Sequence, residues 1–401
     1  MEIDVISPDV YERGGIPHEQ FTWLRENDPV HRHADPAGGP GFWAVTRHEE
    51  VVQVSRRADL FSSRERLSIF EEVDDQTVEM YRLMMLFMDP PEHTERRAMV
   101  NKGFTPRMIR QLTGHVRDIS RQLVAEVAGR GEADFVADIA APLPAYVICE
   151  LLGAPVEDRE LVFDLSNRLI GFDDPEYASS MEDAAAVSAE ILAYAGELAD
   201  LRRARPGSDL ATQLLRPDES GRYLTDEEFQ LFVLVLMLAG NETTRNSAAG
   251  GMIAFFEHPG QWELLLRDRS LLRTAPDEIV RWSSPVNLFR RTAMADTVLG
   301  GTPIAAGDKV VVFYPSANRD AAVFADPFTF DITRSPNPHL GFGGGGPHFC
   351  LGTHLARLQL SVLFEALLDR LPDLRPTAEP RRLRSNFING IKELPVAFTP
   401  S

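Results

Sequence analysis

Apolar residues recur at helical spacing through most of the chain, and only short runs toward its two ends read as strands. Residues 42–46 (FWAVT) follow the turn-rich ADPAGGPG, and residues 309–314 (KVVVFY) follow a turn at 306–308. Between them the pattern predicts helices over 107–127, 155–169, 181–205, 225–256 and 350–370. Asp89-Pro90-Pro91 and Pro276-Asp277-Glu278 each open a further helix, with prolines where a first turn tolerates them. The 225–256 segment is the longest. Thr225 and Glu228 have capping-box spacing at its start, His258-Pro259 stops it, and at 1.5 Å per residue it runs about 50 Å. No repeat or linker interrupts the pattern. It predicts a mainly α protein with small β-sheets, built as one large domain over residues 1–401.

Composition narrows the class. With 44% apolar and 25% charged residues, the chain has ample core and is neither disordered nor collagen-like. Its net charge of −19 argues against a general nucleic-acid binder. Two distant cysteines, Cys149 and Cys350, cannot build a disulfide framework, a zinc ribbon or an iron–sulfur cluster. The first residues lack a secretory pattern, and the longest apolar run, 229–239, is about half a membrane span. The expectation is a soluble, cytoplasmic protein without a membrane anchor, with monomer as the default state.

Three features carry candidate chemistry. In HLGFGGGGPHFCLGTHLAR, glycines including Gly344 let backbone approach something flat or bulky, and Cys350 stands where a helix starts. A helix N-terminus favours thiolate, the form a metal ligand must take. A metal that brings its own ligands needs only one from the protein, and heme iron with a proximal cysteinate meets that condition. The alternative is a glycine-rich surface loop before a buried cysteine. Next, FVLVLML runs into AGNETTRNS, so Gly240, Asn241, Glu242, Thr243 and Thr244 fall in mid-helix. Thr can bond back to the preceding turn and loosen it, opening room for a small ligand or water; otherwise this half of the helix is simply solvated. Finally, His93 and Arg97 share a helix face, as do Glu278 and Arg281. The first pair suits an anion or is a solvated basic patch. The second, on spacing alone, is an exposed ion pair worth under about 1 kcal/mol.

Taken together, AGNETT (239–244), EIVR (278–281), DPFTFDITR (326–334) and FGGGGPHFCLG (342–352) resemble, in residues and order, the signature set of the cytochrome P450 superfamily. The resemblance covers essentially the whole chain. FWAVTRHEEVVQVSRRADLFSS, DDPEYA, HPGQWEL and NGIKELPV narrow it to the actinobacterial group that oxidises cholesterol side chains and methyl-branched lipids, the steroid C26-monooxygenases nearest. Two departures stand out. Phe342 is eight residues before the cysteine where seven is usual, and Glu242 stands where many members have Asp.

The resemblance implies heme b as cofactor and Cys350, in the loop with Phe342, Gly344 and Gly352, as its iron ligand. His93, Arg97, Arg291 and His348 would hold its propionates. Glu278, Arg281 and Arg334 would form a buried ion network. Gly240, Glu242 and Thr243 would bind O2 and deliver protons. Electrons would come from NAD(P)H through a ferredoxin and a ferredoxin reductase, with Arg107, Arg110 and Arg357 as candidate docking residues. One oxygen atom would enter a C–H bond of a hydrophobic substrate, in a pocket walled by Met84, Met85, Leu238, Ala239, Val286, Leu288 and Phe289. The Met-rich stretch 80–88 is alternatively ordinary gap-filling core. A tailoring oxidase of secondary metabolism is the other enzymatic reading. A heme carrier or sensor is a third, against which Glu242-Thr243 argues.

Overall fold

The computed structural model describes residues 3–35, 38–70, 72–169, 174, 176, 181–217 and 221–401; most of the DDPEYA segment lies outside them. Helix dominates. The long helix is Asp226–Glu257, 32 residues without a break. Its capping box forms: the Thr225 hydroxyl accepts from Glu228 N–H at 3.3 Å, and the Glu228 carboxylate accepts from Thr225 N–H at 2.9 Å. Asp226 and Glu227 add negative charge to the first turn, where the helix dipole favours it. Met181–Ala204, Ala275–Ser283 and Pro142–Leu152 pack along it, while Thr353–Arg370 lies against Pro106–Ala128. Phe229, Val233, Met237, Ala249 and Phe255 of the long helix sit at the centre of the main core.

The two strands read from the sequence become neighbours. In a five-stranded sheet Phe42–Val45 runs parallel to Lys309–Phe313 (Trp43 beside Val310), flanked by Val30–His33 on one side and by Leu288–Ala293 and Phe61–Ser62 on the other. Side chains alternate across it as a pleated strand requires. Val310 and Val312 pack with Val45, Val51 and Phe61, whereas Val311 and Phe313 pack with Phe21 and Phe42 from the N-terminal segment.

Several boundaries differ from the pattern. Residues 155–169 divide into a short 3-10 turn, Val156–Asp158, and the helix Arg159–Leu169. The segment Phe135–Leu152 is apolar enough to cross a membrane by composition, yet 78% of it is buried inside the protein. It is core without being one continuous apolar run, because Asp138, Pro142, Pro144 and Glu150 divide it. Small strands at the C-terminal end (Arg375–Pro376, Arg381–Arg382, Ile391–Glu393, Pro395–Ala397) were also not evident; they are two or three residues each. The expected opening in the long helix does not occur. Its polar half is not solvated either, since Asn241, Glu242, Thr244, Asn246 and Ser247 are all buried.

Candidate active site

The cysteine loop folds back on itself. Cys350 N–H donates to the Phe342 carbonyl at 2.9 Å, closing the extra-glycine loop, and Gly343 N–H donates to the Leu340 carbonyl at 2.8 Å. Gly343, Gly345 and Gly346 have φ of 93°, 86° and 74°, where an L side chain is strained. Gly344 has another reason: a Cβ there would lie 2.5 Å from the Ser55 hydroxyl. Phe342 is buried, with the Arg357 guanidinium 5.1 Å over its ring. The neighbouring Phe349 is 40% exposed. The helix begins at Thr353 rather than at Cys350, with Gly352 as its first cap. Cys350 therefore stands just before the first turn, and burial pushes its thiol above the ordinary value. The Thr353 hydroxyl, the Gly352 N–H, Arg97 and Arg357 pull in the opposite direction without prevailing. The thiolate preference expected from a helix N-terminus is thus not a property of the fold alone.

Four nitrogen-bearing side chains converge beside this loop. The rings of His93 and His348 have centroids 4.3 Å apart. Arg97 donates to the Phe349 carbonyl at 2.5 Å, and Arg291 to the carbonyl of its own neighbour Arg290 at 2.7 Å. Among the described residues no carboxylate forms an ion pair with either arginine. His93 Nδ1 and His348 Nε2 are buried without a partner. Burial, Arg97 and Arg291 lower the His93 pKa to about 4, and burial with Arg291 and His93 lowers that of His348. Buried donors without acceptors are costly, so the cluster suits a group that brings carboxylates. Among the described residues no three His, Cys, Asp or Glu side chains are placed to hold a metal ion. A metal at Cys350 must bring its other ligands with it. Both observations fit heme, with its own four nitrogens and two propionates.

On the long helix, the Thr243 hydroxyl donates to the Ala239 carbonyl at 2.7 Å, so the threonine bonds back without opening the helix. Glu242 points away into the core. One of its oxygens accepts from Arg245 at 2.9 Å and Asn246 at 3.3 Å; the other has no partner, and burial raises its pKa against both donors. Gly240 keeps the helix close to its neighbour, since a Cβ there would stand 3.0 Å from Ile148. Arg245 and Asn246 are the functional neighbours that the motif reading missed. Their signal was present: positions three and four after Glu242 share its helix face.

Glu278 and Arg281 are both 0% exposed, which removes the exposed-pair reading. Arg281 grips Glu278 bidentately at 2.8 and 2.7 Å and spends its other donors on the carbonyls of Asn318, Pro327 and Thr329. Arg334 lies 3.3 Å from the same carboxylate, and Asp331 N–H and Asn337 also donate to it. Every side-chain polar atom of Glu278 and Arg281 is engaged, the condition under which a buried pair fixes geometry. Asp277, one residue before, holds Arg357 at 2.8 Å and His339 at 3.1 Å. Arg357 is therefore engaged, whereas Arg107 and Arg110 are exposed.

The seven pocket residues do not form one wall. Met84 and Met85 border a cleft with Leu231, Phe232 and Val235. Leu238, Val286 and Phe289 are half-buried, and Ala239 is exposed although it lies mid-helix. Leu288 is a correction. It is paired with Phe313 and packs among Phe21, Phe42 and Val311 in the N-terminal core, because strand alternation turns it to the face opposite Phe289.

Comparison with known proteins agrees with this geometry. The family model described as Cytochrome P450 matches residues 261–381. The steroid C26-monooxygenase of Rhodococcus jostii (strain RHA1) is 47% identical over 98% of this chain and 84% of its own length. The methyl-branched lipid omega-hydroxylase of Mycobacterium tuberculosis (strain ATCC 25618 / H37Rv) is 43% identical over 90% of this chain and 85% of its own. A solved Mycobacterium marinum cytochrome P450 in complex with pseudoionone superposes with a TM-score of 0.91 at 38% identity, covering 99% of each chain. The chain belongs to the cytochrome P450 family: it is an oxidoreductase acting as a monooxygenase, with heme b and O2, on electrons from NAD(P)H delivered by redox partners.

Proposed function

We propose that this monooxygenase oxidises the side chain of a steroid or a methyl-branched lipid. The observation that carries the reading is a stripe on the long helix. Leu231, Val235, Ala239 and Thr243 stand one turn apart on one face, and accessibility grows from the buried Leu231 through Val235 to Ala239. The cleft beside Met84 and Met85 begins on this stripe, with Arg96 paired to Glu228 at its outer end. From Leu231 to Thr243 the helix rises about 18 Å. An elongated apolar molecule suits such a path, with one end at the Thr243 hydroxyl and a polar far end near Arg96. The names of the two relatives agree with that shape of substrate.

In this reading Cys350 ligates the heme iron, and Phe342, Gly344 and Gly352 keep the loop thin enough to hold it there. His93, Arg97, Arg291 and His348 bind the propionates. Bound heme supplies the activation of O2, which is chemistry no side chain here offers. The chain's own part is positional. Gly240 lets the helix pack closely on Ile148, the Thr243 hydroxyl holds a proton at the helix surface, and Glu242, kept in place by Arg245 and Asn246, receives protons from the interior side and passes them on. Glu278, Arg281 and Arg334 keep the loop's support rigid. The electron donor is a ferredoxin with its reductase, docking near Arg107, Arg110 and the exposed Phe349. The chain works as a monomer in the cytoplasm.

Spin-state titration of the purified holoenzyme tests the substrate class. Cholest-4-en-3-one and a methyl-branched fatty acid are expected to shift the heme from low to high spin at micromolar concentrations, and a macrolide panel is not. A shift with macrolides alone would move the enzyme to secondary metabolism.

A further inference from the structure

A second pocket, of about 220 Å³, lies away from the cysteine loop. Its walls come from the N-terminal segment around Gly15 and His18, the last turns of the long helix, the end of Ala275–Ser283 and the C-terminal strands. Gly250, on this wall, is about 10 Å along the helix from Thr243.

Several polar groups in this pocket lack a hydrogen-bond partner. Arg382 lies against Gly15, whose φ of 70° and missing Cβ leave space for the guanidinium: a Cβ would come within 3.1 Å of it. Among the described residues no hydrogen bond to that guanidinium forms, although the Glu257 carboxylate lines the same pocket. Glu257 and Glu379 act on it only at longer range, and both are exposed. Arg319, 2% exposed, gives two donors to the carbonyls of Arg281 and Trp282, while its Nε has no partner. His18 Nδ1 is also buried without one. Beside these donors stand apolar surfaces: Ile253, Trp282 and Phe328, the last 48% exposed although it packs edge-on to His18 at 5.7 Å.

We propose that this pocket binds a small aromatic carboxylate, the anion on Arg382 and the ring against Trp282, Phe328 and Ile253. A guanidinium presents a fork matched to a carboxylate, and that of Arg382 has no hydrogen-bonded partner among the described residues, with Glu257 and Glu379 acting on it through charge alone. Size agrees, since a cavity of about 150 Å³ holds a benzene ring, and 220 Å³ adds room for the carboxylate. The site is separate from the heme pocket and is independent of which substrate is oxidised there.

Equilibrium dialysis of radiolabelled benzoate tests the site, using the holoenzyme with 4-phenylimidazole in excess to occupy the heme pocket. One benzoate per chain is expected, indifferent to 4-phenylimidazole. Arg382→Ala weakens it about 10-fold or more, and Arg382→Lys, which keeps charge but loses the fork, falls between. Ile253→Trp fills the pocket and abolishes binding with every charge intact, so it decides the matter should Arg382→Ala lose its Soret band and prove misfolded. Absence of saturable binding, displacement by 4-phenylimidazole, or full binding in Ile253→Trp overturns the proposal.

Discussion

At the residue scale, the sulfur of Cys350 meets opposing influences. Desolvation raises its thiol while a backbone N–H, a threonine hydroxyl and two arginines favour the anion. A metal ion settles that contest, because the thiolate is the ligand and binding releases the proton. Exchanging sulfur for a hydroxyl keeps the loop's hydrogen bonds, which run through the backbone of Phe342 and Cys350. Cys350→Ser is therefore expected to fold yet lose the reduced-CO absorbance characteristic of thiolate heme, with monooxygenase turnover abolished. Survival of that band would remove Cys350 as the ligand. The loop around this residue was legible in the sequence because four glycines and a histidine framed it. The direction of its proton affinity was not, since it depended on where the helix begins and on how deeply the loop is covered.

At the element scale, the long helix shows how polar residues can sit in a core helix without breaking it. Five of them find an internal partner: Thr243 and Ser247 use carbonyls one turn back, Asn241 donates to Ser166, Asn246 accepts from Ile391 N–H, and Glu242 takes Arg245. Periodicity revealed the helix and its capping box. It left the AGNETT segment ambiguous between an opening and a solvated face, because partners from Arg159–Leu169 and Ile391–Glu393 are remote in sequence. The same remoteness hid the burial of Glu278 and Arg281, whose acceptors lie some 40 to 50 residues onward. Thr243→Ala removes one hydroxyl that is bonded only within its own helix, so stability should change by less than about 1 kcal/mol. The expected effect is on coupling. NADH consumption stays within a few-fold of the parent while most electrons appear as hydrogen peroxide, measured against hydroxylated product. Coupling equal to the parent's would show that Thr243 has no part in proton delivery.

At the scale of the whole molecule, the N-terminal segment is tied to the rest through buried basic groups. His18 packs near Arg25, Arg281 and Arg319, and burial together with these three charges lowers its pKa from 6.5 to about 3. The aromatic ring of Phe328 is its other neighbour. The unfolded chain takes up a proton on this residue as pH falls below about 6.5, whereas the folded chain does so only near 3. Between those values the unfolded state holds more protons, and acidification favours it. Replacing His18 by a residue that does not titrate removes only its own share. His18→Gln should therefore lose less stability than the parent between pH 7 and pH 4.5, by an amount on the order of 1 kcal/mol after allowing for partial exposure. Urea denaturation at the two pH values measures it. An equal loss in parent and variant would mean that the N-terminal segment opens in the native state and that its histidine titrates as it does in water.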